Sequence, residues 1–71
     1  MKVVFTNHAK IRLSERKIPV SFIKQSIQNP DNQKPTFANK IQVQKKFGDQ
    51  TLEIIYARYF NKIIIITFYY L

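Results

Sequence analysis

The first sixteen residues change from a strand-like to a helix-like pattern of apolar positions. Residues 2–5 are mostly β-branched or aromatic, which predicts a short opening strand. The polar pair at 6–7 offers a side-chain oxygen that can cap a helix N-terminus. Over residues 8–16, Ala9 and Leu13 fall on one stripe at about 100° per residue, so this segment predicts an amphipathic helix.

A second helix follows almost without a loop. Pro19 ends the first helix and is well suited to the first turn of the next one. Val20, Ile23 and Ile27 recur at helical spacing, and the polar, proline-containing residues 29–31 terminate the pattern. We therefore expect a helical hairpin.

Three strands are predicted in the second half of the chain. Residues 40–47 alternate between apolar and polar, as a strand with one wet face does. Residues 51–59 are apolar on both faces and residues 63–70 are nearly all β-branched or aromatic, so both are expected inside a sheet.

The remaining segments are predicted to be loops and turns. Residues 31–39 are polar and contain Pro35, so they are expected to form a connecting loop that Phe37 pins to the core. Tight turns are expected at 48–50 and at 61–62.

The predicted order is β-α-α-β-β-β, an α+β fold in which an antiparallel-rich sheet carries the helical hairpin on one face. The chain has 71 residues, enough for one core, so we expect a single domain over residues 1–71.

The charge balance favours a polyanionic partner. Twelve Lys and Arg residues against four Asp and Glu residues give a formal net charge of +8. A field of that sign attracts nucleic acid or an acidic protein. The alternative explanation is compositional, because Lys, Ile and Asn are all plentiful, as an AT-rich genome would produce.

The composition also bears on the cellular compartment. Cysteine is absent, which excludes disulfide bonds and thiolate metal sites and is typical of a reducing compartment. The apolar run at 63–71 is much shorter than the ~20 residues of a spanning helix, and no signal peptide is visible. We expect a cytoplasmic protein.

One face of the predicted first helix carries candidate catalytic groups. Helical spacings of three and four bring together His8, Arg12, Glu15 and Arg16. Imidazole and carboxylate groups can transfer protons, and guanidinium groups can hold phosphate oxygens, as metal-independent RNA cleavage requires. The alternative is an ordinary surface ladder of ion pairs, with His8 as a capping or packing residue.

A second candidate site lies on the strands. Their cations could bind phosphates and their tyrosines could stack on bases. The residues concerned are Lys45, Lys46, Arg58, Lys62, Tyr56, Tyr59, Tyr69 and Tyr70. The alternative is that strand aromatics belong to the core. Four scattered acidic residues and one histidine predict no metal site, and no motif calls for a cofactor.

The stretch from Phe5 to Ile18, FTNHAKIRLSERKI, resembles the pattern F-T-x-H-A-x-x-R-(M/L)-x-E-R-x-I of a domain-of-unknown-function family. That family is similar to the RelE/ParE-like and BrnT-like toxins of toxin–antitoxin systems. The Asn29-Pro30 ending of the second helix and the final strand at 64–69 extend the resemblance over essentially the whole chain.

The resemblance implies a RelE-like fold and a toxin-like or housekeeping role on RNA, alone or on the ribosome, with an acidic antitoxin as partner. His8, Arg12, Glu15 and Arg16 fall on the family's recurring polar positions. In RelE-like endoribonucleases, basic residues on the sheet and a tyrosine near the C-terminus act instead. Here Lys45, Lys46, Arg58 and Tyr69 or Tyr70 match that description.

The sequence departs from the pattern at two places. The last strand lacks the arginine that RelE-like enzymes often carry there, and Lys17 replaces a glycine that usually ends the first helix. Three hypotheses follow: a metal-independent endoribonuclease or RNA-binding protein, a non-catalytic module that binds an acidic antitoxin or a ParE-like protein target, and an orphan domain with a degenerate site.

Overall fold

The computed structural model describes residues 2–71, which form a five-stranded mixed sheet with two helices on one face. The elements in chain order are β1 (Lys2–Phe5), α1 (Asn7–Arg16), α2 (Val20–Gln28), β2 (Asn32–Thr36), β3 (Lys40–Phe47), β4 (Gln50–Tyr59) and β5 (Lys62–Tyr70). The strand order across the sheet is β1-β5-β4-β3-β2, and only β1 and β5 run parallel. The α+β class predicted from the sequence is confirmed.

The segment predicted to be a loop is partly a strand. β2 pairs antiparallel with β3 at the edge of the sheet, with Pro35 opposite Ile41. An edge strand has one unpaired side, so it tolerates a proline and needs few apolar residues. Phe37, expected in the core, lies in the β2–β3 turn and is 82% exposed.

The first predicted turn is one residue shorter than expected, and the second is shifted by one residue. Gly48 and Asp49 form the β3–β4 turn, where Gly48 adopts a φ of 63°, and Gln50 already belongs to β4. Phe60 and Asn61 form the β4–β5 turn, so Lys62 is the first residue of β5.

The core lies between the helices and one face of the sheet. Alternate residues of β4 and β5 are fully buried there, including Ile54, Ile65 and Phe68. The buried side chains of the helices are Ala9 in α1 and Ile23 and Ser26 in α2. The helices pack over different strands, α1 against β5 and β1, α2 against β3 and β4, rather than chiefly against each other as a hairpin would.

One side chain links the start of α1 to an irregularity in the sheet. Ile66 is an extra residue in β5, because Ile55 pairs with Thr67 and Tyr56 with Ile65. The Thr6 hydroxyl donates to the carbonyl of Ile66 at 3.2 Å and accepts from the backbone N–H of Ala9 at 3.1 Å. Thr6 thereby caps α1 and fixes the helix against the bulge.

Candidate functional site

The polar face of α1 brings His8 and Arg12 into contact. The Nε–H of Arg12 donates to Nε2 of His8 at 3.3 Å, one helical turn away. His8, Glu15 and Arg16 are exposed, and Arg12 is half-buried. This face is therefore open to solvent and to an anionic ligand.

The geometry limits the chemistry of this face. Nε2 of His8 already accepts a hydrogen bond from Arg12, so this nitrogen must leave Arg12 before it can accept a proton from a ligand. Within residues 2–71, Glu15 makes no ion pair with an arginine at 4.0 Å or less, so the predicted ladder is not closed. Imidazole, guanidinium and carboxylate are neighbours here, but only the first two are joined.

The strand residues predicted to bind RNA separate onto two sides of the sheet. Lys45 points to the helical side, where its ammonium donates to the Asn29 carbonyl at 2.9 Å and lies 3.8 Å from the Asp31 carboxylate. Lys45 therefore binds the C-terminal end of α2, where a positive charge is favourable. Lys46 is exposed and lies on the other, open face.

Arg58 also lies on the helical side, at the rim of a cavity of about 610 Å³ between α2 and the sheet. The walls combine apolar residues, including Phe5, Ile27 and Ile63, with the polar side chains of Lys24 and Arg58. Arg58 is exposed, so its guanidinium is accessible. The cavity does not include any of the candidate residues on α1.

Tyr69 belongs to a polar cluster on the open face that centres on Glu53. Glu53 is only 7% exposed and its carboxylate accepts three hydrogen bonds. Gln42 Nε2 and Gln44 Nε2 donate to Oε1 at 2.5 and 2.7 Å, and the Tyr69 hydroxyl donates to Oε2. Three neighbouring strands, β3, β4 and β5, thus contribute to one network.

The network keeps Glu53 ionised. Burial alone would raise the pKa of this carboxyl, but the hydrogen bonds from Tyr69, Gln44 and Gln42 and the charge of Lys34 outweigh it, so the pKa lies below its usual value. The hydrogen bond to Glu53, with burial and the carboxylate charge, raises the pKa of Tyr69. Such a carboxylate is a weak base at neutral pH and serves to orient its three donors.

The open face carries lysines as well as this buried acid. By strand alternation and register, the cations directed to it come from four strands. They are Lys2, Lys34, Lys40, Lys46 and Lys62. In the part of the chain from 2 to 71, no helix covers this face.

The structure does not bring the predicted residues into one site. The helical layer carries His8, Arg12, Glu15 and Arg16. Lys46 and Tyr69 lie on the opposite face of the sheet. Sequence reasoning missed Glu53. A lone acid within an apolar interior strand was the available signal, because such a group must find hydrogen-bond donors on neighbouring strands.

Residues 2–71 lack two further features, a metal-binding cluster and a membrane-spanning helix. They contain no group of three or more His, Cys, Asp or Glu side chains placed to hold a metal ion. None of their helices combines the length and apolar character needed to cross a bilayer.

Comparison with known proteins places the chain in a family. No curated protein and no solved structure matches it significantly. A family model does match, over residues 5–70, which include both helices and all strands but part of β1. The chain therefore belongs to the family described as domain of unknown function DUF4258.

Proposed function

We propose that this protein binds RNA through the open face of its sheet and is a relative of the RelE/ParE-like toxins. The observation that carries the proposal is the distribution of charge on that face. Lysines from four strands are directed to it, whereas Glu53 is its one acidic residue among the described positions.

Lysine side chains on a face without a helical cover suit the RNA backbone. Each ammonium that contacts a phosphate releases a condensed counterion, which supplies affinity without sequence preference. Lys34, Lys46 and Lys62 are exposed and lie at three separate positions across the sheet. This spread fits an extended ligand better than a single small anion.

Glu53 does not oppose such a ligand strongly. Its carboxylate is buried and receives hydrogen bonds from Gln42, Gln44 and Tyr69. The network holds the amides and the phenol in place on the face that carries the lysines. An RNA strand would meet these oriented polar groups between its phosphate contacts.

The proposal is tested by fluorescence anisotropy with a short labelled RNA. The open-face variant Lys34→Gln/Lys46→Gln/Lys62→Gln should bind more weakly, and its plot of log K against log salt should be less steep by about 0.7 for each phosphate contact removed. The matched control is Lys10→Gln/Lys17→Gln/Lys24→Gln, which removes the same charge from the helical side.

Equal losses in the two triple variants would mean that total charge alone determines binding, and would contradict an interface on the open face. Absence of RNA binding by the wild-type protein at physiological salt would contradict the proposal as a whole.

A second candidate function is metal-independent endoribonuclease activity on α1, favoured by the exposed His8–Arg12 pair. His8 would act as the general acid or base, and Arg12 and Arg16 would stabilise the charge that develops on the phosphate. Glu15, which makes no ion pair with Arg12 in the structure, would share the proton transfer. RNA cleaved at α1 would have to lie over the helical side rather than the open face.

A third candidate is a non-catalytic module that binds an acidic antitoxin. Val4, Ile55 and Ile64 favour it, because they are half-buried on the open face and a protein partner would complete their burial. This function would be supported if the protein formed a stable complex with an acidic protein encoded by an adjacent gene, and if that complex did not bind RNA.

A further inference from the structure

Three aromatic rings project from one end of the sheet. Phe37 is 82% exposed, Tyr59 60% and Phe60 84%. Phe37 lies in the β2–β3 turn, while Tyr59 and Phe60 lie at the β4–β5 turn. None of the three rings contributes to the core, so core packing does not explain why these positions are aromatic.

The register places the two turns side by side. Lys40, at the start of β3, pairs with Ala57, so the last residues of β4 extend beside the β2–β3 turn. The midlines of the two hairpins are two strand spacings apart, which is roughly 10 Å. The two turns therefore form one surface, which we call the tip surface.

Both turns use backbone conformations that their residues disfavour. Ala38 has a φ of 60° and Phe60 a φ of 56°, values suited to glycine. An aromatic side chain in the left-handed region is strained, and here the ring makes only an edge contact with Tyr59, at 4.6 Å between centroids. Local strain with no gain in packing is typical of residues retained for function.

The surroundings of the rings are cationic. Lys40 Nζ lies 5.6 Å from the centroid of the Phe37 ring, and Lys62 directly follows the β4–β5 turn and pairs with Lys2. The acidic residues lie elsewhere: Asp31 beside Gln44, Asp49 in the turn at the other end of the sheet, Glu53 in mid-strand and Glu15 on α1. The tip surface thus pairs exposed aromatic faces with uncompensated positive charge.

We infer that the tip surface is a stacking platform for unpaired RNA bases, so that the protein prefers single-stranded over duplex RNA. The inference rests on the proposed RNA-binding function and specifies its ligand. Bases of a single strand can stack on Phe37 and Phe60, and the neighbouring lysines bind the intervening phosphates. A duplex holds its bases in the stack and could use only the lysines.

The test compares a labelled single-stranded RNA with the same sequence as a duplex, in anisotropy titrations with Phe37→Ser and Phe60→Gly. Stacking on an aromatic side chain supports a loss of about fivefold or more per ring for the single strand. The loss for the duplex should stay below about twofold. Leu71→Ser is the matched control, because it removes an exposed apolar side chain at the opposite end of the sheet and should leave both affinities unchanged.

Thermal unfolding separates a functional from a structural role for Phe60. If the ring serves binding, Phe60→Gly should keep or raise the unfolding midpoint while weakening single-stranded RNA binding. A lowered midpoint with unchanged affinity, or equal losses for single strand and duplex, would overturn the inference. Wild-type protein that binds no RNA would refute the proposed function as well, so the two failures are distinguishable. If the wild-type protein bound vesicles, and the tip variants lost that binding but kept RNA binding, the tip surface would be a membrane-binding site instead.

Discussion

The hydroxyl of Tyr69 donates a hydrogen bond to the carboxylate of Glu53 across the β4–β5 pairing. The two residues face each other directly in the register, on the side of the sheet that the helices leave open. This contact joins one of the two candidate tyrosines near the C-terminus to an acid that the sequence pattern did not single out.

Substitution of Tyr69 or Glu53 should lower the free energy of unfolding, and the effects of the two substitutions should not be additive. Tyr69→Phe removes one hydrogen bond to a charged group, and we expect a loss of about 1.5–3 kcal/mol in the free energy of unfolding. Glu53→Gln should cost a similar amount, because an amide cannot accept all three donors. In urea denaturation the double variant should lose less than the sum of the single variants; strict additivity would show that the two side chains act independently.

The same carboxylate should make stability depend on acid. The pKa of Glu53 in the fold lies below its ordinary value of 4.5, so its ionised form stabilises the fold at neutral pH. That contribution is lost as the pH falls through the folded-state pKa. The difference in urea midpoint between wild type and Glu53→Gln should therefore shrink on acidification from pH 7. A difference that stays constant over that range would contradict the assignment.

The end of α1 should tolerate glycine better than lysine. Lys17 adopts the left-handed conformation, with a φ of 52° and a ψ of 38°. This conformation costs an L-residue roughly 1–2 kcal/mol, whereas glycine adopts it freely but loses roughly 0.5–1 kcal/mol more backbone entropy. Lys17→Gly should thus raise the unfolding free energy by about 0.5–1 kcal/mol. The control Lys10→Gly, in the exposed interior of α1, should lower it by about 1 kcal/mol.

Substitutions on the polar face of α1 should separate activity from folding. His8 is exposed and its one hydrogen bond, from Arg12, lies at the surface, so His8→Ala and Arg12→Ala should leave the thermal midpoint nearly unchanged. If α1 cleaves RNA, both changes should reduce cleavage and growth inhibition on induced expression. Intact RNA in cells that express the wild-type protein would exclude the nuclease function.

The helices and the three long strands could be predicted because their apolar residues recur with the period of the element. Val20, Ile23 and Ile27 mark α2 in this way, and Thr6 caps α1 as one of two predicted candidates. β2 could not be found by the same argument. Its side chains are nearly all exposed, and its pairing depends on the partner strand β3 rather than on its own composition.

The candidate site was predictable only in its local part. His8 and Arg12 meet because they are one helical turn apart, which the sequence alone specifies. Glu53, Gln44 and Tyr69 meet because three strands align in register, and register follows from the packing of the whole sheet. Lys45 is different, because it alternates in step with Ile41 and Val43 along β3, and strand alternation alone could have assigned it to the helical side.

The parallel pairing of β1 with β5 has a consequence for how the protein is made. β5 is translated after the other four strands of the sheet, yet it occupies an interior place between β4 and β1. β1 therefore has no pairing partner until residues 62–65 have been translated. Assembly of the sheet is then a late and non-local event, of the kind that folds slowly and exposes aggregation-prone edges while it is incomplete.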